Sequence, residues 1–240
     1  MKHRVLGAVT VLAACAAAYG VPVTFESGPA QAALLELFTS EGCSSCPPAE
    51  TWLSKLRDDP ALWKKVVPVA FHVDYWDNLG WPDRFASPVF TQRQSDYAAS
   101  WKSSGVYTPC FVLNGREWAR GEFPVAAGDA GELRVTVADA THVTISYKPA
   151  RTLANPPVAG LAPLAGGIVS DVRRGENAGR KLPHEFVALA LISTPMELVN
   201  GEWTAKFTLP EKTAAPPSAL AAWVHPADDT TPLQAAGGWL

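Results

Sequence analysis

The stretch Leu37–Pro48, LFTSEGCSSCPP, decides how this chain is read. An apolar run, Leu34 to Phe38, leads into a short polar loop that ends on Cys43 and Cys46, directly before a predicted helix. Two thiols at C-x-x-C spacing, between a buried strand and a helix start, have the arrangement of a dithiol redox centre. The thiolate is the reactive species, and the unpaired amides and dipole of a helix N-terminus favour it. Pro47 follows Cys46, and a residue before proline avoids the helical region, so Cys46 is expected at the helix entry. Cys43, on the loop side, is the expected nucleophile and Cys46 the resolving thiol. The alternative is a static disulfide stapling loop to helix, although so short a bridge closes little chain entropy.

Upstream, Lys2, His3 and Arg4 precede an apolar run of ten residues, Val5 to Ala14, too short to span a bilayer and typical of an export signal. Leu12, Ala13, Ala14 and Cys15 have the form of a lipobox, in which Cys15 would be acylated and tie the protein to a membrane. Ordinary cleavage near Ala18 or after Ala30, Gln31 and Ala32 is the other reading, and both stay open. Residues 16–31 then read as a tether. The expected location is the periplasm or cell envelope, where close cysteines are free to form a disulfide.

The 240 residues carry a net charge of −3 and no basic cluster interleaved with aromatics, which excludes nucleic acid as a partner. Hydrophobic residues make up 48% of the chain, enough for substantial cores. Six of the nine tryptophans fall between Trp52 and Trp118, where core packing is the simplest use for them.

Downstream of the dithiol, Glu50 to Trp63 reads as an amphipathic helix broken at Asp59 and Pro60, and Val66 to Val73 as a second buried strand. Val89 to Trp101 is a predicted helix, Val106 to Asn114 a third strand, and Glu117 to Arg120 its hairpin partner after the Asn114, Gly115 turn. Strand, helix, strand, helix, strand, strand is the element order of the thioredoxin fold. Thr108 and Pro109 open the third strand, where that fold places a cis-proline opposite the dithiol. LFTSEGCSSCPPAE, FHVDYWDNLGWPDRFASPVFTQRQSDYA, VYTPCFVLNGRE and RRGENAGRKLPHEFV together resemble the bacterial secreted family catalogued as domain of unknown function 1223. The resemblance covers most of the chain from about Leu34 and implies a thioredoxin-like fold, with no substrate attached. Cys110 departs from the family, in which this position is commonly glutamine; a small buried thiol is the expected reading.

His72, Asp74 and Asp77 sit at the carboxyl end of a strand, the edge where open sheets hold ligands. Asp74 or His72 could move a proton to or from a buried thiol, or Cys43, Cys46 and His72 could form a soft copper site. Against both, one strand cannot aim all three side chains at one point, so a core-facing His72 and a turn-capping Asp74 weigh equally.

After Phe123 cysteine disappears. Leu133 to Val137 and Val143 to Tyr147 alternate apolar with polar, and Phe186 to Ile192, Glu202 to Leu209 and Ala219 to His225 read as further strands. Arg173 to Leu182, RRGENAGRKL, is a charged glycine-rich loop without phosphate-loop spacing, expected to be solvated or interdomain. The expected organisation is a signal and tether (1–32), an α/β thioredoxin-like domain (33–123) and an all-β sandwich-like domain (124–240). The expected function is exported thiol–disulfide exchange by Cys43, Cys46 and Pro109, with protein or small-molecule thiols and disulfides as partners. Two alternatives are a copper-binding or metal-handling module using the same thiols, and a non-catalytic adaptor with a structural disulfide. No cofactor motif is present, and no cofactor or resident metal is expected.

Overall fold

The computed structural model describes residues 22–123 and 128–240. The predicted export signal and Cys15 lie outside the described residues. Sixteen strands and two α-helices are present among the described residues. The first half contains β1 (Val23–Glu26), β2 (Ala33–Thr39), α1 (Pro47–Ser54), β3 (Val66–His72), α2 (Pro88–Ser100), β4 (Cys110–Leu113) and β5 (Arg116–Glu117). The second half contains β6 (Glu132–Val137), β7 (His142–Lys148), β8 (Val158–Ala165), β9 (Ile168–Asp171), β10 (Lys181–His184), β11 (Val187–Ala188) and β12 (Ile192–Pro195). It continues with β13 (Glu197–Val199), β14 (Glu202–Thr208), β15 (Ala219–His225) and β16 (Gln234–Trp239).

A nine-stranded sheet in the order β16-β15-β8-β11-β3-β2-β4-β5, with β12 also on β8, forms the centre. The strand β2 pairs parallel with β3 and antiparallel with β4, and every residue of β2 and β3 is buried. Both strands read as continuous apolar runs because both of their faces are covered. The helices α1 and α2 bring Leu53, Phe90 and Tyr97 to that core. The helix α1 begins at Pro47, three residues earlier than predicted, because the fixed φ of proline suits the first helical turn. It gives way to a 3₁₀ turn, Lys55–Asp58, before the expected break at Asp59 and Pro60.

The predicted fold class, an α/β thioredoxin-like domain followed by an all-β sandwich-like domain, is corrected. Strand takes 40% of the described residues and helix 13%, so the molecule is mainly β. Moreover, β8, β11, β12, β15 and β16 of the second half belong to the same sheet as β2 to β5. The reason lies at the second edge of β3, whose amides and carbonyls cannot stay buried without partners. Val187 pairs in parallel with Ala70, and the Ala70 amide donates to the Phe186 carbonyl at 2.8 Å.

From β11 the sheet runs on through β8, β15 and β16, and these strands serve two cores by period-two alternation. Ala162, Leu164, Ala221 and Trp223 face the core shared with the helices. Leu161, Leu220, Ala222 and Val224 face a second core under the five-stranded antiparallel sheet β1-β6-β7-β14-β13. Gly160 pairs with Trp223, and a Cβ at Gly160 would lie 2.3 Å from the indole, so only glycine admits the ring there.

Val23–Glu26, expected to be tether, is instead a strand on β6. Gln234 fixes this approach: its side chain accepts from the Ala32 amide at 2.8 Å and donates to the carbonyls of Ala30 and Gly131 at 3.1 and 2.9 Å.

The main buried charge in the central core is Glu36 on β2, fully covered. Arg93 Nε donates to Glu36 Oε1 and the Tyr97 hydroxyl to Oε2, each at 2.5 Å. Removing one partner of such a pair leaves an uncompensated buried charge. Arg93→Met is therefore expected to destabilise the fold by about 3–5 kcal/mol, read as a lower urea midpoint with an unchanged slope.

Candidate functional site

Cys43 and Cys46 are joined in a disulfide, with Cα atoms 5.4 Å apart. Cys46 is the N-cap of α1, although its backbone (φ −76°, ψ −36°) lies in the helical region that a residue before proline is expected to avoid, and its carbonyl accepts from the amides of Ala49 and Glu50 at 2.9 and 3.2 Å. Cys43 Sγ lies 3.3 Å from Ser45 Oγ. Ser44 and Ser45 are exposed, but Cys43 is as fully buried as Cys46, and the expected exposure of the loop-side thiol is not found.

The cover is the loop expected to be solvated or interdomain. Asn177, wholly buried, donates from Nδ2 to the carbonyls of Glu41 and Cys43, both at 2.9 Å. Its Oδ1 accepts from Arg180 at 2.7 Å, and Glu176 accepts from the Ser44 amide at 3.0 Å. The loop joins β9 to β10, a hairpin that is a separate two-stranded sheet. Gly175 within it has φ +76°, and a Cβ there would stand 3.2 Å from that of Trp81, so glycine is needed both for the turn and for the approach.

Beneath the disulfide lies a buried cluster of opposite charges. His184, on the inner face of β10, directs Nδ1 to Glu50 in a short hydrogen bond and Nε2 to Glu41 Oε1 at 3.3 Å. His72, at the end of β3, donates from Nδ1 to Asp83 at 2.6 Å. Thr39 donates to Glu50 Oε1 at 2.7 Å, and the Glu41 amide to Asp83 at 2.8 Å. Burial favours the neutral form of His184, but the carboxylates of Glu41 and Glu50 facing its two ring nitrogens outweigh it and push its pKa up to about 10. His72 is raised likewise: burial opposes its charge, and the Asp83 carboxylate overrides burial. Burial pushes Glu41 and Asp83 upward, but His184 and His72 respectively more than compensate and hold them below the usual carboxylate range.

Of the residues singled out from sequence, His72 faces this cluster, whereas Asp74 and Asp77 do not. Asp74 Oδ1 accepts from Thr91 at 2.5 Å, and Asp77 accepts from the Asp83 amide at 3.0 Å, so both organise turns. Pro109 directly precedes β4. The indole of Trp76 donates to Thr108 Oγ1 at 2.8 Å, and the Trp76 Cβ lies 3.1 Å from where a Cβ at Gly42 would stand, so Trp76 spans from the dithiol loop to the approach to β4. Cys110 is the buried free thiol expected, pushed up to about 11 by burial. Glu41, Glu50, Asp83, Asn177 and His184 were not singled out from sequence. The available signals were an acid one turn into the helix after Cys46 and a histidine on the apolar side of the strand Lys181–His184.

The two imidazoles and the two carboxylates act on stability with opposite signs. A raised folded-state pKa contributes stability that is complete below the unfolded histidine value of about 6.5 and is lost as pH rises toward about 10 for His184. The depressed pKa values of Glu41 and Asp83 contribute stability above about pH 4, lost on further acidification. Stability is expected to be highest between about pH 4.5 and 6.5. Urea midpoints should fall from pH 6.5 to 9.5 in the wild type and fall less in His184→Gln.

Residues 34–225 match the family described as protein of unknown function (DUF1223). Among curated proteins none matches. A crystal structure of an Agrobacterium tumefaciens protein is similar at 25% identity with a TM-score of 0.62, covering 88% of this chain and 94% of that one. HBP35 of Porphyromonas gingivalis has a similar fold at 16% identity and a TM-score of 0.61, covering 89% of this chain and 76% of that one. With four fifths of its length matched, the chain belongs to the DUF1223 family.

Proposed function

We propose that this protein carries out thiol–disulfide exchange outside the cytoplasm, through Cys43 and Cys46. The observation that supports it most is the pairing itself: two cysteines three apart, closed as a disulfide at the N-terminal end of α1. A thiolate attacking this disulfide forms one mixed S–S bond and releases the other sulfur as a thiolate, which takes a proton. A second partner thiol then attacks the partner's sulfur in the mixed disulfide, forming the partner disulfide and releasing the remaining protein sulfur as a thiolate that takes a proton. The protein is left as a dithiol, its partner oxidised by two electrons, and the reverse sequence oxidises the protein. The Ser45 hydroxyl beside Cys43 Sγ can donate to a thiolate on Cys43. At Cys46, by contrast, Pro47 and Pro48 lack amides and the next two amides are engaged by the Cys46 carbonyl. Cys43 is therefore the attacking thiol and Cys46 the resolving one. Pro109, on the side reached through Trp76, is the third residue assigned to the site.

Because both sulfurs are covered, exchange requires the β9–β10 loop to lift. Asn177→Ala removes two hydrogen bonds to the dithiol loop, and at about 1 kcal/mol each the disulfide should be reduced by dithiothreitol roughly thirtyfold faster. In the opened form, Cys46→Ser is expected to hold a mixed disulfide at Cys43 and Cys43→Ser to hold little, as judged by intact mass.

The burial of both cysteines also favours a second reading, a structural disulfide in a non-catalytic adaptor. Reduction rates decide between the two. If the disulfide is reduced only at the rate of global unfolding, and Asn177→Ala changes nothing, the pair is structural.

A further inference from the structure

We propose that Glu50, His72 and His184 form a binding site for one divalent ion of the zinc class, built without the thiols. One ligand atom from each residue lies within 4.8 Å of the other two, and all three residues are buried. The ligand atoms of a tetrahedral zinc site stand about 3.3 Å apart, given bonds of about 2.0 Å. Glu50 and His184, now in direct hydrogen-bond contact, would separate to that spacing while the wider pairs draw in by up to about 1.5 Å, movements within the play of side-chain torsions.

Two independent features point to an ion. The first is an open valence: His72 Nε2 is fully buried and has no hydrogen-bond partner, while its Nδ1 is taken by Asp83. Leaving a buried polar atom without a partner is unfavourable, a loss that a bond to a cation would recover. The second is that each ligand already has a group holding its far side. Asp83 holds His72, Glu41 Oε1 faces His184 Nε2 at 3.3 Å, and Thr39 bonds Glu50 Oε1. Carboxylate–histidine pairs of this kind orient the ring and raise its basicity toward a metal. Neither His184 Nε2 nor Glu41 Oε1 makes a well-formed hydrogen bond, so both are free to tighten onto each other once His184 Nδ1 turns from Glu50 to the ion.

Two imidazoles and a carboxylate suit zinc better than the hard cations magnesium or calcium, which take oxygen ligands. A cleft of about 450 Å³ lined by Glu41, Trp81, Arg84, Ser170 and Arg173 lies on the Glu41 side of His184; none of the three ligands lines it, so an ion entering there has to pass Glu41.

The test is calorimetric titration of zinc into chelator-stripped, full-length protein whose Cys43–Cys46 disulfide is intact. One zinc per chain is expected, with a raised melting temperature. His184→Gln and His72→Gln should each weaken binding at least about 100-fold, and Glu41→Gln about 10–100-fold. Cobalt should give the visible bands of a tetrahedral site without sulfur-to-metal charge transfer, a wild-type readout that does not depend on the variants folding. Absence of saturable zinc binding by the oxidised wild type, sulfur-to-cobalt charge transfer, or undiminished binding by folded His184→Gln would each overturn the site. None of these outcomes bears on the exchange chemistry, which is read from the disulfide.

Discussion

The contact between Glu50 on α1 and His184 on β10 is the one on which the arrangement around the disulfide depends. The β9–β10 hairpin hydrogen-bonds only to itself as a sheet, so no ladder carries it to the rest of the molecule. Its position is set by side chains: His184 against Glu50 and Glu41, and Asn177 and Glu176 on the dithiol loop. Ion pairs buried this deeply add little net stability compared with well-packed apolar groups, yet breaking one strands a charge in a medium of low dielectric. The hairpin is thus located accurately by interactions that contribute modestly to folding. That combination suits a cover, because its position is specific while the free energy of lifting it is a fraction of the free energy of unfolding.

The same economy explains why the cluster sits beside the disulfide. Residues of the dithiol loop and of α1 supply two of its three carboxylates, so a change in the loop is felt at the histidines directly. Glu50 is one turn beyond Cys46, and its amide bonds the Cys46 carbonyl at 3.2 Å. The cluster therefore shares backbone with the disulfide through Glu41 and Glu50, and with the cover through His184.

Much of the local structure is legible in the residues, and much of the assembly is not. Leu34 to Phe38 and Val66 to Val73 announce buried strands by unbroken apolarity, and the C-x-x-C followed by two prolines marks a helix start. Val158–Ala165, VAGLAPLA, gives no such sign: glycine and proline punctuate it, and burial on both faces removes the alternation that betrays a half-buried strand. Gln234–Trp239 is hidden for the same reason, with two glycines that lie against Trp63 and Phe25. Without these two strands the first half reads as a closed unit, and the class assigned from it was wrong. The site shows a parallel division. The disulfide is a local pattern, but His184 and Asn177 reach it from more than 130 positions away, and no spacing rule connects them. Arg173 to Leu182 looks solvated because its charges are exposed; the asparagine in its middle turns inward, as does Leu182 at its end.

The placement of β11 against β3 has a consequence for the order of events during synthesis. A ribosome delivers β3 long before residues 187–188, so for more than a hundred residues of elongation one side of Val66–His72 has no strand to receive it. A flat apolar edge of that kind is a template for pairing with other chains. The nascent protein must keep that edge loosely formed or shielded until β11 and β8 have emerged, and premature release would leave an adhesive fragment in place of a small stable one.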